Sequence, residues 1–351
     1  MDFRFTDEQD MTASVVRDLL SDLCQSADLR RLMASEEARD ENRWSKIVEM
    51  GLAGALVEET AGGFGLKAAD FVLAVEACGY ACLPEPLVEN AGVSLPLLAE
   101  AAPDNELLAQ ALAGEITVAT GHPSNLFVCD ADTAGALVIG NDDGLFLVER
   151  QKAELARQPS VDPFRRLFAV DFSPADATRL ADPAHAASML DAALDRGALF
   201  AAAQLVGIAQ RCVDLAVAYA KDRHQFGKPI GSYQAVKHQL ATAQVKIEFA
   251  KPILYAAAAS LPEADMYSRA RISHAKLVAA EAADLSARTA IQVHGAMGYS
   301  WEVDVHFFLK RAIALETWWG APAFHRERVA CRVLGGELGP EHTFAKEARD
   351  A

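Results

Sequence analysis

The chain has 351 residues, of which 51% are hydrophobic and 23% charged, a balance typical of a folded globular protein. Its formal net charge of −16 argues against nucleic acid or an anionic membrane as the main partner. The first residues lack a signal-peptide pattern, no apolar run reaches membrane-spanning length and the six cysteines are scattered, so we expect a cytoplasmic protein with reduced thiols.

The first third of the chain is predicted to be helical, with glycine and proline at the joints. Thr6 and Gln9 have the spacing of a capping box at a helix start. Apolar residues then recur at helical spacing in three segments: 44–52, 68–80 and 95–112. Pro103 divides the last segment into two shorter helices. These patterns predict an N-terminal α-helical domain over residues 1–114.

The middle of the chain is rich in short β-prone runs. Four of them stand out: 116–118, 136–139, 145–148 and 167–172. Asn141-Asp142-Asp143-Gly144 lies between two of these runs and has the composition of a hairpin turn. We therefore predict a small β domain over residues 115–182, too short for a large sheet.

The last part of the chain, residues 183–351, is predicted to be a helical domain. Three long stripes of apolar residues, with many alanines, indicate a helix bundle. Pro252 is expected to kink or end the second of these helices. The predicted fold class is mostly α with a small β insert: a helical domain, a β domain and a helix bundle in that order.

One stretch, residues 222–234, forms the corner between the first two long helices. Arg223 is expected to close the first helix, and Gln234 to fall in the first turn of the next. Gly227 and Pro229 lie between them, since neither continues a helix well. A cation and amides around a helix N-terminus suit a ligand that carries phosphate. The same spacing also fits an ordinary helical connection with a solvated arginine.

Two motifs in the C-terminal half resemble those of the acyl-CoA dehydrogenase family. The first runs from Tyr219 through Arg223-His224-Gln225-Phe226-Gly227 to Gln234, and the second is Gln292-Val293-His294-Gly295-Ala296-Met297-Gly298-Tyr299. The segment 44–65, with its Gly-Gly-Phe-Gly ending, is similar to the family's N-terminal domain. The resemblance covers most of the chain and implies that the bundle has four helices.

The resemblance implies FAD bound at a subunit interface. Arg223 would lie against the pyrophosphate, where a planar cation suits the two charges, and Gln225 and Phe226 would lie beside the adenosine and flavin portions. The remaining cofactor-binding positions that it implies are Gln234, Gln292, Gly295, Ala296 and Gly298. Of these, Gln292 and the backbone around Gly295 and Ala296 would contact the dinucleotide across a dimer partner. Ala296 departs from the family, which usually has a second glycine there.

The family removes a proton from the α-carbon of an acyl-CoA with a glutamate, while a hydride leaves the β-carbon for the flavin. Trp319, followed by Gly320, occupies the usual glutamate position. A minority of relatives carry the base upstream, where this chain has Gly197 and Ala198. Neither position holds a base. Glu316 and Asp195 lie close by in sequence and are the weak candidates for a displaced one.

The changes fall on the substrate side, because the β domain also lacks the family's Gly-Ser-Asp loop. This pattern resembles the short subunits of heteromeric acyl-CoA dehydrogenases that act on steroid side chains. We therefore expect FAD-dependent α,β-dehydrogenation of an acyl-CoA by an α2β2 complex, in which a second acyl-CoA dehydrogenase subunit carries the base. This chain alone would then be inactive.

Two other functions fit the same residues. One is a non-catalytic scaffold that resembles an acyl-CoA dehydrogenase, and the other is a homomeric flavoenzyme with a displaced base. A metal site at His294 and His306 is not expected, because no convergent set of ligands accompanies them. Trp318 and Trp319 are interpreted as pocket-filling or interface aromatics. By analogy with the family, the trimmed β domain favours a bulky, ring-bearing acyl group over a straight chain.

Overall fold

A computed structural model of the chain describes residues 4–35, 37, 39–261 and 264–335. Its N-terminal part is helical. The first four helices are α1 (Asp7–Leu23), α2 (Ser26–Ala34), α3 (Glu41–Glu49) and α4 (Ala68–Tyr80). The predicted capping box is confirmed, because Thr6 and Gln9 exchange hydrogen bonds between side chain and backbone. The helix predicted over 44–52 ends earlier, since Gly51 adopts a left-handed φ of 73°. Helix α2 was not predicted.

The next helical region contains a π turn. It comprises α5 (Leu87–Glu89), a π segment (Asn90–Ser94), α6 (Leu95–Ala101) and α7 (Glu106–Leu112). The break predicted at Pro103 is confirmed, and Asn105 caps α7 by accepting a hydrogen bond from the N–H of Leu107. The π segment is buried throughout, so the extra residue in this turn faces the protein interior.

Seven strands follow and form two small sheets. They are β1 (Val118–Gly121), β2 (Val128–Cys129), β3 (Ala136–Asn141), β4 (Gly144–Glu149), β5 (Ala153–Gln158), β6 (Leu167–Phe172) and β7 (Thr178–Ala181). The four-stranded sheet has the order β1-β3-β4-β7, and the three-stranded sheet has the order β2-β6-β5. The predicted hairpin is confirmed, because Asn141 pairs with Gly144 across the β3–β4 turn. The small size of the sheets also agrees with the prediction.

The C-terminal part is a bundle of long helices. Its elements are α8 (Pro183–Asp222), β8 (His224–Gln225), β9 (Lys228–Pro229), α9 (Gln234–Ser260), α10 (Met266–His294), α11 (Val305–Thr317) and α12 (Pro322–Gly335). Helix α9 continues through Pro252. Of the two outcomes predicted for this proline, an end to the helix is therefore wrong. The exposed position of Pro252 leaves the buried residues on either side, Ala250 and Leu254, in register with the core.

Helix α8 is the central element of the fold. It packs against α4 so closely that a Cβ on Gly207 would lie 2.7 Å from the backbone N of Tyr80. Glycine therefore allows the two backbones to touch. Helix α8 is long and apolar enough to cross a membrane, but 72% of its most apolar window is buried inside the protein. That burial is what the core helix of a bundle shows.

Candidate functional site

The predicted corner is a compact hairpin at the end of α8. Arg223 ends the helix, as predicted, with its N–H donating to the carbonyl of Tyr219 at 2.8 Å. Its own carbonyl accepts from the N–H of Ile230 at 2.8 Å, which closes the hairpin. Phe226 and Gly227 form the tip, with left-handed φ angles of 53° and 82°. Gln234 begins α9, also as predicted.

The side chains of this corner are directed outward. Phe226 is 91% exposed, which is exceptional for a large aromatic residue, and Gln225 and Gln234 are exposed as well. Within the part of the chain that the structure describes, no hydrogen bond or ion pair engages the exposed Arg223 guanidinium. The corner thus presents an unused cation beside an unburied ring.

The second motif closes α10. The helix ends at His294, and Gly295 caps it with a φ of 59°. Gln292, Gly295 and Ala296 are exposed. Gly298 is buried, and a Cβ there would come within 2.5 Å of the carbonyl oxygen of Ile291. The motif therefore offers exposed backbone on one side and a tight turn on the other.

The two motifs lie at the same end of the bundle. The Tyr219 ring, one turn before Arg223, stacks on the His294 ring with 4.2 Å between centroids and 23° between planes. His294 Nδ1 donates to the carbonyl of Ala290 at 2.7 Å, and burial lowers the pKa of His294. A neutral, stacked imidazole joins the corner to the second motif.

This common face has the features that a dinucleotide needs. A Cβ at Gly227 or at Gly295 would meet no atom within 4 Å, so the backbone at both positions is open to an approaching group. The Arg223 cation can hold a pyrophosphate, and Phe226 offers a ring for stacking. We call the exposed residues Arg223, Gln225, Phe226, Gln234, Gln292, Gly295 and Ala296 the dinucleotide face. The residues present fit FAD.

The two positions where the base was sought meet in the interior. Trp319 is 1% exposed, and its ring lies on Gly197 of α8. A Cβ on Gly197 would be 2.5 Å from both Cγ and Cε2 of that ring. Any larger residue at position 197 would therefore displace the tryptophan. Ala198, beside Gly197, is fully buried.

A carboxylate that the sequence analysis missed faces Trp319. The indole Nε1 donates to Glu89 Oε2 at 2.9 Å, and Arg165 lies 3.5 Å from the other carboxylate oxygen. Burial raises the pKa of Glu89, and the Arg165 cation opposes that rise. The Arg165 guanidinium also lies 4.5 Å above the ring of Trp318. A glutamate as the only charged residue of the segment 87–98 was the available signal.

The β region closes the same site from another side. The backbone N–H of Trp319 donates to Asn125 Oδ1 at 2.9 Å, and the His122 ring meets the Trp319 ring edge to face at 5.4 Å. Thr120 donates to Ser94 Oγ at 2.8 Å in a buried position. The loop that follows β1 thus packs on Trp319 and leaves no open wall there.

The two acidic candidates are placed differently. Asp195 is 2% exposed and accepts from Arg269 Nε at 3.1 Å and from an Arg328 guanidinium nitrogen at 2.7 Å. It joins α8 to α10 and α12. Glu316 lies half-buried in the last turn of α11, where its backbone carbonyl accepts from Lys276 Nζ at 3.2 Å.

Lys276 and His325 hold the turn that carries Trp319. Lys276 Nζ donates to the carbonyls of Leu315 at 2.6 Å and Trp318 at 2.8 Å, and burial lowers its pKa to about 7. His325 Nε2 donates to the carbonyl of Trp319 at 3.0 Å. Neither residue was predicted from the sequence. A lysine on the apolar face formed by Ala279, Ala280 and Ala283 was the signal for Lys276.

A metal ion has no evident site here. Among the residues that the structure describes, no group of three His, Cys, Asp or Glu side chains could hold one. His306 lies between the rings of Trp301 and Phe307, at centroid distances of 4.8 and 4.2 Å. His294 is taken up by its stack on Tyr219.

Comparisons with known proteins agree with this architecture. The acyl-CoA dehydrogenase C-terminal domain matches residues 187–334, and the N-terminal domain matches residues 6–113. The chain belongs to the acyl-CoA dehydrogenase family, an oxidoreductase family whose cofactor is FAD. The predicted family and its cofactor are thereby confirmed.

Among curated relatives, acyl-CoA dehydrogenase IpdE2 of Mycobacterium tuberculosis is 33% identical over 315 residues, covering 87% of this chain and 91% of that protein. The ChsE4–ChsE5 complex of Mycobacterium tuberculosis has the same fold, with a TM-score of 0.82, 21% identity and coverage of 96% and 100% of the two chains. A variant of the Tcur3481–Tcur3483 steroid ACAD also has this fold, with a TM-score of 0.80 and 23% identity. The match covers 94% of this chain and 98% of that chain.

Proposed function

We propose that this chain is the subunit of a heteromeric FAD-dependent acyl-CoA dehydrogenase that lacks the base. The observation that carries the proposal is the contrast between its two sites. The dinucleotide face is exposed and its Arg223 is unengaged, whereas the tryptophan at the base position is buried on Gly197. The exposed residues of the first site can contact a cofactor. The second site is filled by the tryptophan ring and offers no group for the reaction.

The reaction requires a carboxylate that is free to take a proton from the α-carbon of the thioester. Glu89 is bonded to the Trp319 indole and paired with Arg165. Asp195 is held by Arg269 and Arg328. Bound FAD would accept the hydride from the β-carbon. This chain's own groups would hold the dinucleotide, and the partner subunit would supply the base.

Within the dinucleotide face, each residue has a definite part in this proposal. Arg223 would neutralise the pyrophosphate, and Phe226 would cover an aromatic ring of the cofactor. Gln225, Gln234 and Gln292 would donate and accept hydrogen bonds along the dinucleotide. The open backbone at Gly295 and Ala296 would approach it closely, while the buried Gly298 keeps the turn tight.

The proposed assembly is an α2β2 complex in the cytoplasm, with an acyl-CoA as the substrate and neither nucleic acid nor membrane as a partner. Two structural neighbours support the heteromeric form, because each was solved as a pair of differently named chains. One of these pairs is described as a steroid ACAD, which supports a bulky, ring-bearing acyl group for the present chain.

The test is co-expression with a longer relative that keeps the glutamate. The complex is expected to be yellow and to dehydrogenate an acyl-CoA, while this chain alone shows no turnover. Complexes that are flavin-free and inactive with every such relative would refute the proposal and favour the scaffold. Turnover by this chain alone would favour the homomeric flavoenzyme, with Asp195 or Glu316 as the first residues to substitute.

A further inference from the structure

We infer that Trp319 is an internal ligand: its indole fills this chain's own acyl cavity and holds the three parts of the fold together there. In the family the acyl group reacts beside the base, and both positions available for that base meet at this ring. The inference rests on the proposed function only for the identity of the group that the indole displaces.

The fit around the ring is close on several sides. Gly197 lies under the indole with no room for a Cβ, and the His122 ring meets its face. A neighbouring cavity, beside Glu89 and Trp318, is about 10 Å³, room for about one water molecule. An acyl thioester has no space between the indole and Gly197, because a single Cβ there would already collide with the ring.

The indole N–H of Trp319 has a hydrogen-bond acceptor, as the polar group of a bound ligand would have. A buried indole N–H needs an acceptor, and Glu89 Oε2 supplies it at 2.9 Å. Arg165 balances the carboxylate charge and stacks on Trp318. Glu89 comes from the N-terminal helices, His122 from the β region and Gly197 from the bundle, and each of them contacts the Trp319 ring. One side chain therefore joins all three parts.

The backbone of Trp319 is fixed as firmly as its ring. Its φ of 58° lies in the left-handed region, which is unfavourable for a bulky residue. Asn125 accepts from its N–H, His325 donates to its carbonyl, and Lys276 donates to the carbonyl before it. Such a conformation persists only where the surroundings over-determine it.

The test replaces the internal ligand with an external one. In the full-length chain, Trp319→Gly is expected to lower Tm by about 5 to 10 °C, because a large buried ring is lost. Added indole is expected to recover at least half of that loss with saturable binding. Benzofuran, which has the same shape but no N–H, is expected to recover less, because Glu89 Oε2 then lacks the indole donor.

Two control variants define the specificity of this rescue. Trp301→Gly removes an indole that is 62% exposed, and Trp318→Gly removes the neighbouring buried ring. Indole is expected to stabilise neither by more than 1 to 2 °C, roughly the scatter of such shifts. Equal rescue of Trp301→Gly, or no rescue of a folded Trp319→Gly, would overturn the inference.

If Trp319→Gly does not fold, Trp319→Phe keeps an aromatic ring and removes the N–H together with the rest of the five-membered ring. A double-mutant cycle with Glu89→Leu, which removes the acceptor, then measures the coupling between the two side chains, and zero coupling would overturn the inference. The proposed function fails separately. Absent rescue in a chain that still forms a yellow complex would refute the internal ligand alone, and rescue with colourless complexes would refute the proposed function alone.

Discussion

The ring of Trp319 lies against the Cα of Gly197, and the two residues occupy the two positions at which the resemblance to acyl-CoA dehydrogenases predicts a base. The largest side chain and the smallest residue thus form a matched pair in the site. A substitution at either position alone would break the match. These two positions therefore hold no carboxylate, and the space between them is filled by the tryptophan ring. Loss of a glutamate side chain alone would not fill that space.

The matched pair predicts that the effect of Gly197→Ala depends on Trp319. In the natural chain the new methyl group collides with the ring, and the free energy of unfolding should fall by about 1 to 3 kcal/mol. In a Trp319→Ala background the same change should raise it by up to about 1 kcal/mol, since alanine favours the helix. Urea unfolding of the four proteins measures both values. Equal effects in the two backgrounds would contradict the close contact.

Arg223→Ala is expected to weaken FAD binding without affecting the fold. Loss of a charge-assisted contact to pyrophosphate should raise the Kd for FAD about 10- to 100-fold. The free energy of unfolding should change by less than about 0.5 kcal/mol, because the residue is exposed. Flavin fluorescence titration of the complex checks the first value. Arg157→Ala, an exposed arginine in β5, is the matched control and should leave the Kd unchanged.

Asp195→Ala is expected to destabilise the chain and to leave the chemistry intact. It removes the shared partner of two arginines from a site where the carboxylate is only 3% exposed, which should cost about 3 kcal/mol. Asp191→Ala is the control, since Asp191 pairs with the same Arg269 but is 55% exposed and should cost less than about 1 kcal/mol. Loss of turnover in a stably folded Asp195→Ala complex would instead identify Asp195 as the base.

Because of His325, we expect the folded chain to lose stability in mild acid. Burial and the Lys276 cation lower the pKa of His325 to about 3 in the folded chain. The unfolded chain takes up this proton below about pH 6.5, so the folded state loses up to about 1.4 kcal/mol per pH unit on acidification. His325→Gln cannot titrate, and its stability should fall less steeply between pH 7 and 5. Parallel urea midpoints for the two proteins over that range would contradict the assignment.

Features that depend on near neighbours in the sequence were predictable. The Thr6 capping box, the Asn141–Gly144 hairpin and the Arg223 helix end each rest on residues within a few positions of one another. The dinucleotide face could be named because its two motifs carry recognisable residues. Their common location, through the Tyr219–His294 stack, needed the fold.

The environment of Trp319 was not predictable for the opposite reason. Its partner Glu89 is 230 positions away, and Lys276 reaches the turn across 42 positions. No periodic pattern records such pairs, because each depends on how helices pack. The sequence shows that positions 197 and 319, where the family resemblance predicts a base, hold no carboxylate. Only the packing shows that the space between them is occupied.

The π turn at Asn90–Ser94 bears on how this site could have arisen and how it could be redesigned. A π turn holds one residue more than the α-helical path, and each residue of an α-helix accounts for a rotation of about 100°. Deleting one residue there would rotate Glu89 away from the indole while leaving α6 in place. Shortening this helix by one residue, with no change at position 319, would thus remove the Glu89 acceptor from the Trp319 indole. Such a deletion is a way to loosen the ring in its cavity that point substitutions do not provide.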